Sequence, residues 1–381
     1  MKLESLQYSA KSGWSAPFPP LDSEQTLVVV FGAPEMASQG EALAQVAAAY
    51  PRSIRVGCST SGEIYGTMIH DGSLSVAICQ FSGVRLKRSA ARVESAADSA
   101  SAGKSVATDL LAPDLRAVFV LSDGMHVNGS DLLSGINSAL PEGVIVTGGL
   151  AGDAQRFQKT WVLLDGGACD KGWVSAVGFY GDGLRIGHGA RGGWDIFGPE
   201  RVVTKSKANV VYEIDGQPAL QLYKTYLGER AKGLPGTALL FPLSLRESSG
   251  ADKHLVRTIL SIDEKDQSMT FAGNLPEGSL VQLMRANFDR LVDGAHEAAE
   301  VTAGTAPDPA GPHLVLAISC VGRRIALGQR TEEEVEAAFE PLPKDSKMIG
   351  FYSYGEISPF AAGRCDLHNQ TMCITMLAEA A

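Results

Sequence analysis

The chain lacks most of the signatures by which enzymes and anchored proteins announce themselves. It contains no GxSxG elbow, no HExxH, no Walker A lysine loop and no strand-borne GxGxxG with a downstream acid. Its six cysteines lie far apart and form no CxxC pair, so neither a zinc ribbon nor a thioredoxin-like site is supported, and no CxxCH offers a covalent haem attachment. Cys79 and Cys320 sit inside apolar runs, where a thiol behaves as a small hydrophobe, and a reducing cytoplasmic setting is expected. The amino-terminal stretch MKLESLQYSAKSGW has no apolar signal core, and no run is long enough for a membrane span. Clustered Lys/Arg is missing too. With 33 basic against 43 acidic residues, the formal charge of −10 argues against nucleic acid or an anionic membrane as partner.

What is present is a large apolar fraction, 45% hydrophobic against 20% charged residues over 381 positions, enough for two or three domains or one large α/β body. The chain also repeats itself. The apolar strand 27–32 leads to a helical stretch at 40–50 and a second strand opening on VGCSTSGEIYG (56–66). The same order recurs as VFVLSDG (118–124), SDLLSGINSAL (130–140) and VIVTGGLAGD (144–153). It recurs again as LVLAISCVG (314–322), TEEEVEAAF (331–339) and MIGFYSYGEISP (348–359).

Val28 to Val56 and Val118 to Val146 are both steps of 28 residues, whereas Val315 to Ile349 is 34. Two turns share Gly-x-x-x-x-Gly-Glu-Ile, at 57–64 and 350–357, and the middle turn keeps glycines and an acid in GGLAGD. One more apolar strand follows each turn, at 73–81, 174–180 and 371–377. A buried strand feeding a helix and another buried strand is the pattern of a right-handed parallel crossover. The fold class is therefore α/β, with repeated β-α-β-turn-β units forming mixed sheets flanked by helices. Helices are expected at about 95–111, 218–228 and 286–300, strands near 255–262 and 268–272, and a surface loop at 302–312. A domain boundary is placed near 225–235.

Ligands of open α/β sheets bind where strands end, and glycines there let them approach the backbone. That rule selects Ser59, Thr60 and Glu63 in the first turn, Gly148, Gly149 and Asp153 in the second, and Tyr354 and Glu356 in the third. The same glycines and hydroxyls also suit tight turns with local hydrogen bonds. The loop SDGMHVNGSD adds Asp123, His126 and Asn128, although Asn128 equally reads as a helix N-cap. GLRIGHGARGG (183–193) is glycine-rich without opening a helix. A haem needs an axial imidazole and a flat apolar slot, and His188, flanked by glycines with Trp194 close behind, suits that need; His368 and His126 are the alternatives. A hydrolase with Glu63 or Glu356 as base lacks a positioned nucleophile.

VGCSTSGEI, SDGMHVNGSDLL, GGLAGD with RFQKT, VYEIDGQPAL with LYKTYLG, and GFYSYGEISP with LHNQTM together resemble the FIST family, over residues 25–378. The resemblance implies a FIST N-terminal domain at 25–228 and a FIST C-terminal domain at 229–378. It implies a cytoplasmic sensor of bacterial signal transduction without catalysis, with Asn369 of LHNQTM among its ligand-binding residues. One branch of that family consists of b-type haem proteins that sense nitric oxide and control a partner histidine kinase. Other members are encoded beside a cyclic-di-GMP enzyme, and a homo-oligomer is a further expectation. The alternative is a haem-free module that binds amino acids or another small metabolite. The output is expected to come from a separate protein, because no kinase, receiver or GGDEF segment is present.

Overall fold

Along each apolar strand, successive side chains must part to opposite faces. Leu27, Val29 and Phe31 therefore point one way, with Val28 and Val30 the other. Ala117, Phe119 and Leu121 diverge from Val118 and Val120 in the same manner, as Leu314, Leu316 and Ile318 diverge from Val315 and Ala317. All three first-named sets meet in one central core, while each second-named set is covered by its own helices. A computed structural model describes residues 1–381 except 165–166, 247–253, 306–310, 360–363 and 381.

Each copy has four strands. In copy one they are Lys2–Ser9, Thr26–Gly32, Ile54–Ser59 and Ser73–Gln80. In copy two they are Arg85–Arg92, Leu115–Ser122, Ile145–Leu150 and Trp173–Tyr180. In copy three they are Leu184–Arg191, His313–Cys320, Ser346–Ser353 and Met372–Glu379. The order across every sheet is third, second, fourth, first. Second and third strands are parallel, as the crossover pattern predicts, and the fourth is antiparallel to the second. The turn after each third strand does not lead straight into that fourth strand. It extends into a two-stranded arm that leaves its own sheet.

The arms make the assembly cyclic. Copy one's arm (Glu63–Tyr65, Met68–His70) pairs with copy three's third strand. Copy three's arm (Gly355–Pro359, Cys365–His368) pairs with copy two's third strand, and copy two's arm (Val162–Leu163, Cys169–Asp170) pairs with copy one's. Three sheets thus surround one core, and the third-strand edge of each is covered by its neighbour's arm.

The expected helices are found at Glu41–Ala49, Ser99–Leu110, Gly129–Ala139, Ala219–Leu227, Phe288–Thr305 and Thr331–Phe339. The expected loop at 302–312 begins inside the helix Phe288–Thr305, and its positions 306–310 lie outside the described residues. Within copy three, between its first strand and its long helix, Asp195 to Arg285 form a separate nine-stranded β-unit with its own core. Residues 228 and 229 lie inside this unit, between the helix Ala219–Leu227 and the strand Leu243–Arg246. Among the described residues no helix is long and apolar enough to cross a membrane.

Candidate functional site

The third strands all end at the same end of the body, and their turns are laced together by one hydrogen bond made three times. Ser61 N donates to Tyr352 O (2.8 Å), Gly152 N to Ser59 O (3.0 Å) and Tyr354 N to Leu150 O (3.1 Å). These contacts make Ser61, Gly152 and Tyr354 equivalent, and with them Gly57, Gly148 and Gly350. A Cβ on those three glycines would lie 2.3, 1.8 and 1.9 Å from the carbonyl oxygen of the neighbouring strand's Val30, Val120 and Ala317. The ladder pairs Gly148 with Val120 and Gly57 with Val30, steps of 28 and 27 residues, so the expected equivalence of Val56 and Val146 is one residue off. Gly148 and Gly149 serve this packing; a Cβ on Gly149 would meet Ile318 and Phe351 in the central core.

The acids at the strand ends are mostly engaged in holding the turns. Glu63 accepts from Ser73 N (2.9 Å) and Ser73 Oγ (2.8 Å), and from Thr60 Oγ1. Glu356 accepts from Ser353 Oγ (2.6 Å) and Thr371 N (3.2 Å). Each carboxyl thus receives the amide at the start of its copy's fourth strand, Ser73, or just before it, Thr371. Burial pushes Glu63 up to about 7 and Glu356 up to about 8, despite the hydrogen bonds that favour ionisation.

In copy two the same task falls to Asp123, which accepts from Gly172 N (2.9 Å), Thr160 Oγ1 (2.9 Å), Met125 N and His126 N (2.7 Å each). Burial works against its charge, but those amides outweigh it and hold the carboxyl below the usual range. His126 Nδ1 lies 3.1 Å from the same carboxylate. Asp153, which pattern alone matches to the GEI glutamates, aligns instead with Gly62. It ties down the following loop through Phe157 N, Gln158 N and Lys159 N (2.8 Å each). Ser59 Oγ accepts from Trp161 N (3.1 Å). Asn128 caps the helix Gly129–Ala139 by accepting from Ser130 N and Asp131 N. Asn369 is buried, with Oδ1 lacking a partner among the described residues.

The histidine setting differs from the one expected. His188 stands in copy three's first strand, half-buried, and burial alone lowers its pKa. The neighbouring Gly189 faces the helix Phe288–Thr305 so closely that a Cβ would lie 2.2 Å from Ala298 O. Its freedom from a side chain therefore seats a helix on the face of the strand opposite to His188. Trp194 is packed with Met284, Leu291 and Leu327, and its Nε1 donates to Gln370 O (2.9 Å). His368 is buried with Nε2 3.0 Å from Ser358 O.

A cavity of about 250 Å³ does open at the strand ends, between copies two and three and the β-unit. The body supplies Leu150, Cys320, Val321 and Tyr354, and the β-unit supplies Asn209, Thr258, Leu260 and Phe271. Met125, Phe157 and Leu260, exposed by 39, 40 and 42%, give the lining solvent-facing apolar surface. Phe157 stacks on Tyr354 with ring centroids 4.6 Å apart. Among the described residues no charged side chain lines the cavity. Thr258 Oγ1 is buried there with no hydrogen-bond partner among the described residues. An unsatisfied buried hydroxyl costs about 1–3 kcal/mol, and this one is shut off from solvent within the cavity wall.

Of the residues selected from the sequence, Asn128 and Tyr354 line this cavity. Phe157, Thr258 and Leu260 were missed. Phe157 carried a faint signal, an aromatic four residues past a strand-end glycine-acid pair, and Thr258 carried none.

Family models match nearly the whole length: a FIST N domain at residues 26–217 and a FIST C domain at 219–359. An uncharacterised protein of Methanocaldococcus jannaschii is 27% identical over 238 residues, covering 55% of this chain and 44% of that protein, so the chain spans less than half of that relative. A crystal structure of a cyanuric acid hydrolase from A. caulinodans aligns over 78% of this chain and all of its own, at 12% identity and a TM-score of 0.18, too low to carry an argument. The two family matches, in order and abutting within the β-unit, establish that the chain belongs to the FIST family, whose domains are small-molecule sensing modules of signal transduction.

Proposed function

We propose that this protein is a haem-free sensor of a small, uncharged, largely apolar metabolite, held in the cavity between the strand ends and the β-unit. The observation that carries the reading is an apolar cavity of about 250 Å³ whose wall holds the unpartnered Thr258 hydroxyl. Ligand sites combine an apolar lining with a few placed polar groups, and this one is at the small end of their size range. The absence of a charged group in the lining disfavours a zwitterionic amino acid, whose two charges would go unpaired. Because the cavity is shared by the body and the β-unit, a ligand there acts on how the two pack, which is the differential contact a switch requires. In this reading a separate histidine kinase or cyclic-di-GMP enzyme in the cytoplasm receives the signal.

Thermal unfolding of the full chain with indole, phenol and 1-hexanol, beside glycine, leucine and haemin, tests the reading. The neutral compounds should raise the melting temperature, and Thr258→Val should weaken the best of them about tenfold, the loss of one hydrogen bond to a buried group. Stabilisation by haemin with a Soret band lost in His188→Ala, or by amino acids alone, would overturn it.

A further inference from the structure

A second cavity, of about 410 Å³, lies on the other side of the wall that carries Thr258. Arg257, the preceding residue, lines it and is buried, 4% exposed. Its guanidinium donates only to carbonyl oxygens: Nε to Asn274 O (3.1 Å), and Nη1 to Val256 O (3.1 Å) and Leu367 O (3.0 Å). Among the described residues Nη2 has no acceptor, and no carboxylate lies within ion-pair distance of Arg257. A buried cation without a bonded counter-ion is expensive, and the guanidinium fork is shaped for a carboxylate.

We propose that this cavity binds a small molecule carrying a carboxylate, seated on the guanidinium of Arg257. Among the described residues the lining carries two guanidinium groups, Arg257 and Arg364, which favour an anionic ligand. Leu245, Leu255 and Leu367 line the same cavity and suit a short aliphatic body behind the carboxylate. The site is separate from the neutral-ligand cavity, yet Arg257 and Thr258 are consecutive, so occupancy on one side bears on the wall of the other.

The test titrates the full chain with sodium butyrate, with sodium phosphate and sodium chloride matched in ionic strength, and reads the melting temperature. Butyrate at about a hundredfold over its Kd should raise it by about 3 °C, saturably, with no comparable effect of chloride. Arg257→Gln should lose at least tenfold in affinity. Should that variant fail to fold, Ser134→Asp, which places a carboxylate in the same cavity, should raise the melting temperature without ligand and abolish the butyrate response. Thr258→Val should retain the butyrate response, which separates failure here from failure of the neutral-ligand reading. No saturable response to butyrate, an undiminished response in Ser134→Asp, or tighter binding of phosphate than of butyrate would overturn the proposal.

Discussion

Replacing Glu356 by Gln should change how stability depends on pH, by an amount the burial of this carboxyl sets. In the folded chain burial pushes Glu356 from the usual 4.5 up to about 8. A raised acid binds its proton more tightly in the folded state than in the unfolded one. Its contribution is therefore fully present below the unfolded value and is lost as pH rises through the folded one. At pH 6 the contribution is about 2.7 kcal/mol, and by pH 9 it has fallen to about zero.

A glutamine has no proton to lose, and the Ser353 hydroxyl can reorient to accept from its amide. The difference in unfolding free energy between wild type and Glu356→Gln should thus shift by about 2.7 kcal/mol in favour of the variant between pH 6 and pH 9. Taking the difference cancels titration of every other group, Glu63 included. Urea unfolding followed by far-ultraviolet circular dichroism at pH 6, 7, 8 and 9 measures it. A difference constant to within about 0.5 kcal/mol across that range would refute the reasoning, since it would mean that Glu356 titrates alike folded and unfolded.

Other consequences are equally direct. Gly148→Ala should abolish soluble expression, because its Cβ would fall 1.8 Å from Val120 O. Gly66→Ala, with open space around it but a φ of +59°, should cost only about 1–2 kcal/mol, measured as a shift in the urea midpoint. Arg323 and Glu334 are both fully buried and paired at 2.5 Å, with Tyr352 Oη also donating to Glu334 (2.8 Å). Glu334→Gln should therefore destabilise by about 3–5 kcal/mol, read by the same unfolding assay, because it strands a buried guanidinium. Tyr354→Phe removes hydrogen bonds to Asp153 and to Ala154 O (2.9 Å), so amide exchange over residues 154–160 should quicken while that of the central strands stays unchanged.

The sequence made the second, third and fourth strands of each copy legible, because they are apolar runs buried on both faces. It hid the first strands. Lys2–Ser9 and Arg85–Arg92 lie toward the sheet edges and alternate polar with apolar residues, so neither stands out from a loop. The threefold ring was equally hidden, since the turns resemble one another in glycines while the register that aligns them is set by pairing between distant arms. Pattern matching consequently matched Asp153 to the GEI glutamates, whereas the buried carboxylate that receives the fourth strand in copy two is Asp123, 30 positions earlier. His188 drew attention through its glycines, but backbone contact with a helix explains Gly189. Thr258 was beyond sequence reasoning altogether: only the folded chain brings it beside Asn128 and Tyr354 and leaves its hydroxyl unpartnered.

A crystal structure grown with whichever neutral compound most raises the melting temperature tests the central claim most directly. The compound should appear between Phe157, Leu260 and Phe271, with a polar atom within about 3.2 Å of Thr258 Oγ1. The compound seated elsewhere with this cavity empty, or a haem ligated by His188, would contradict it.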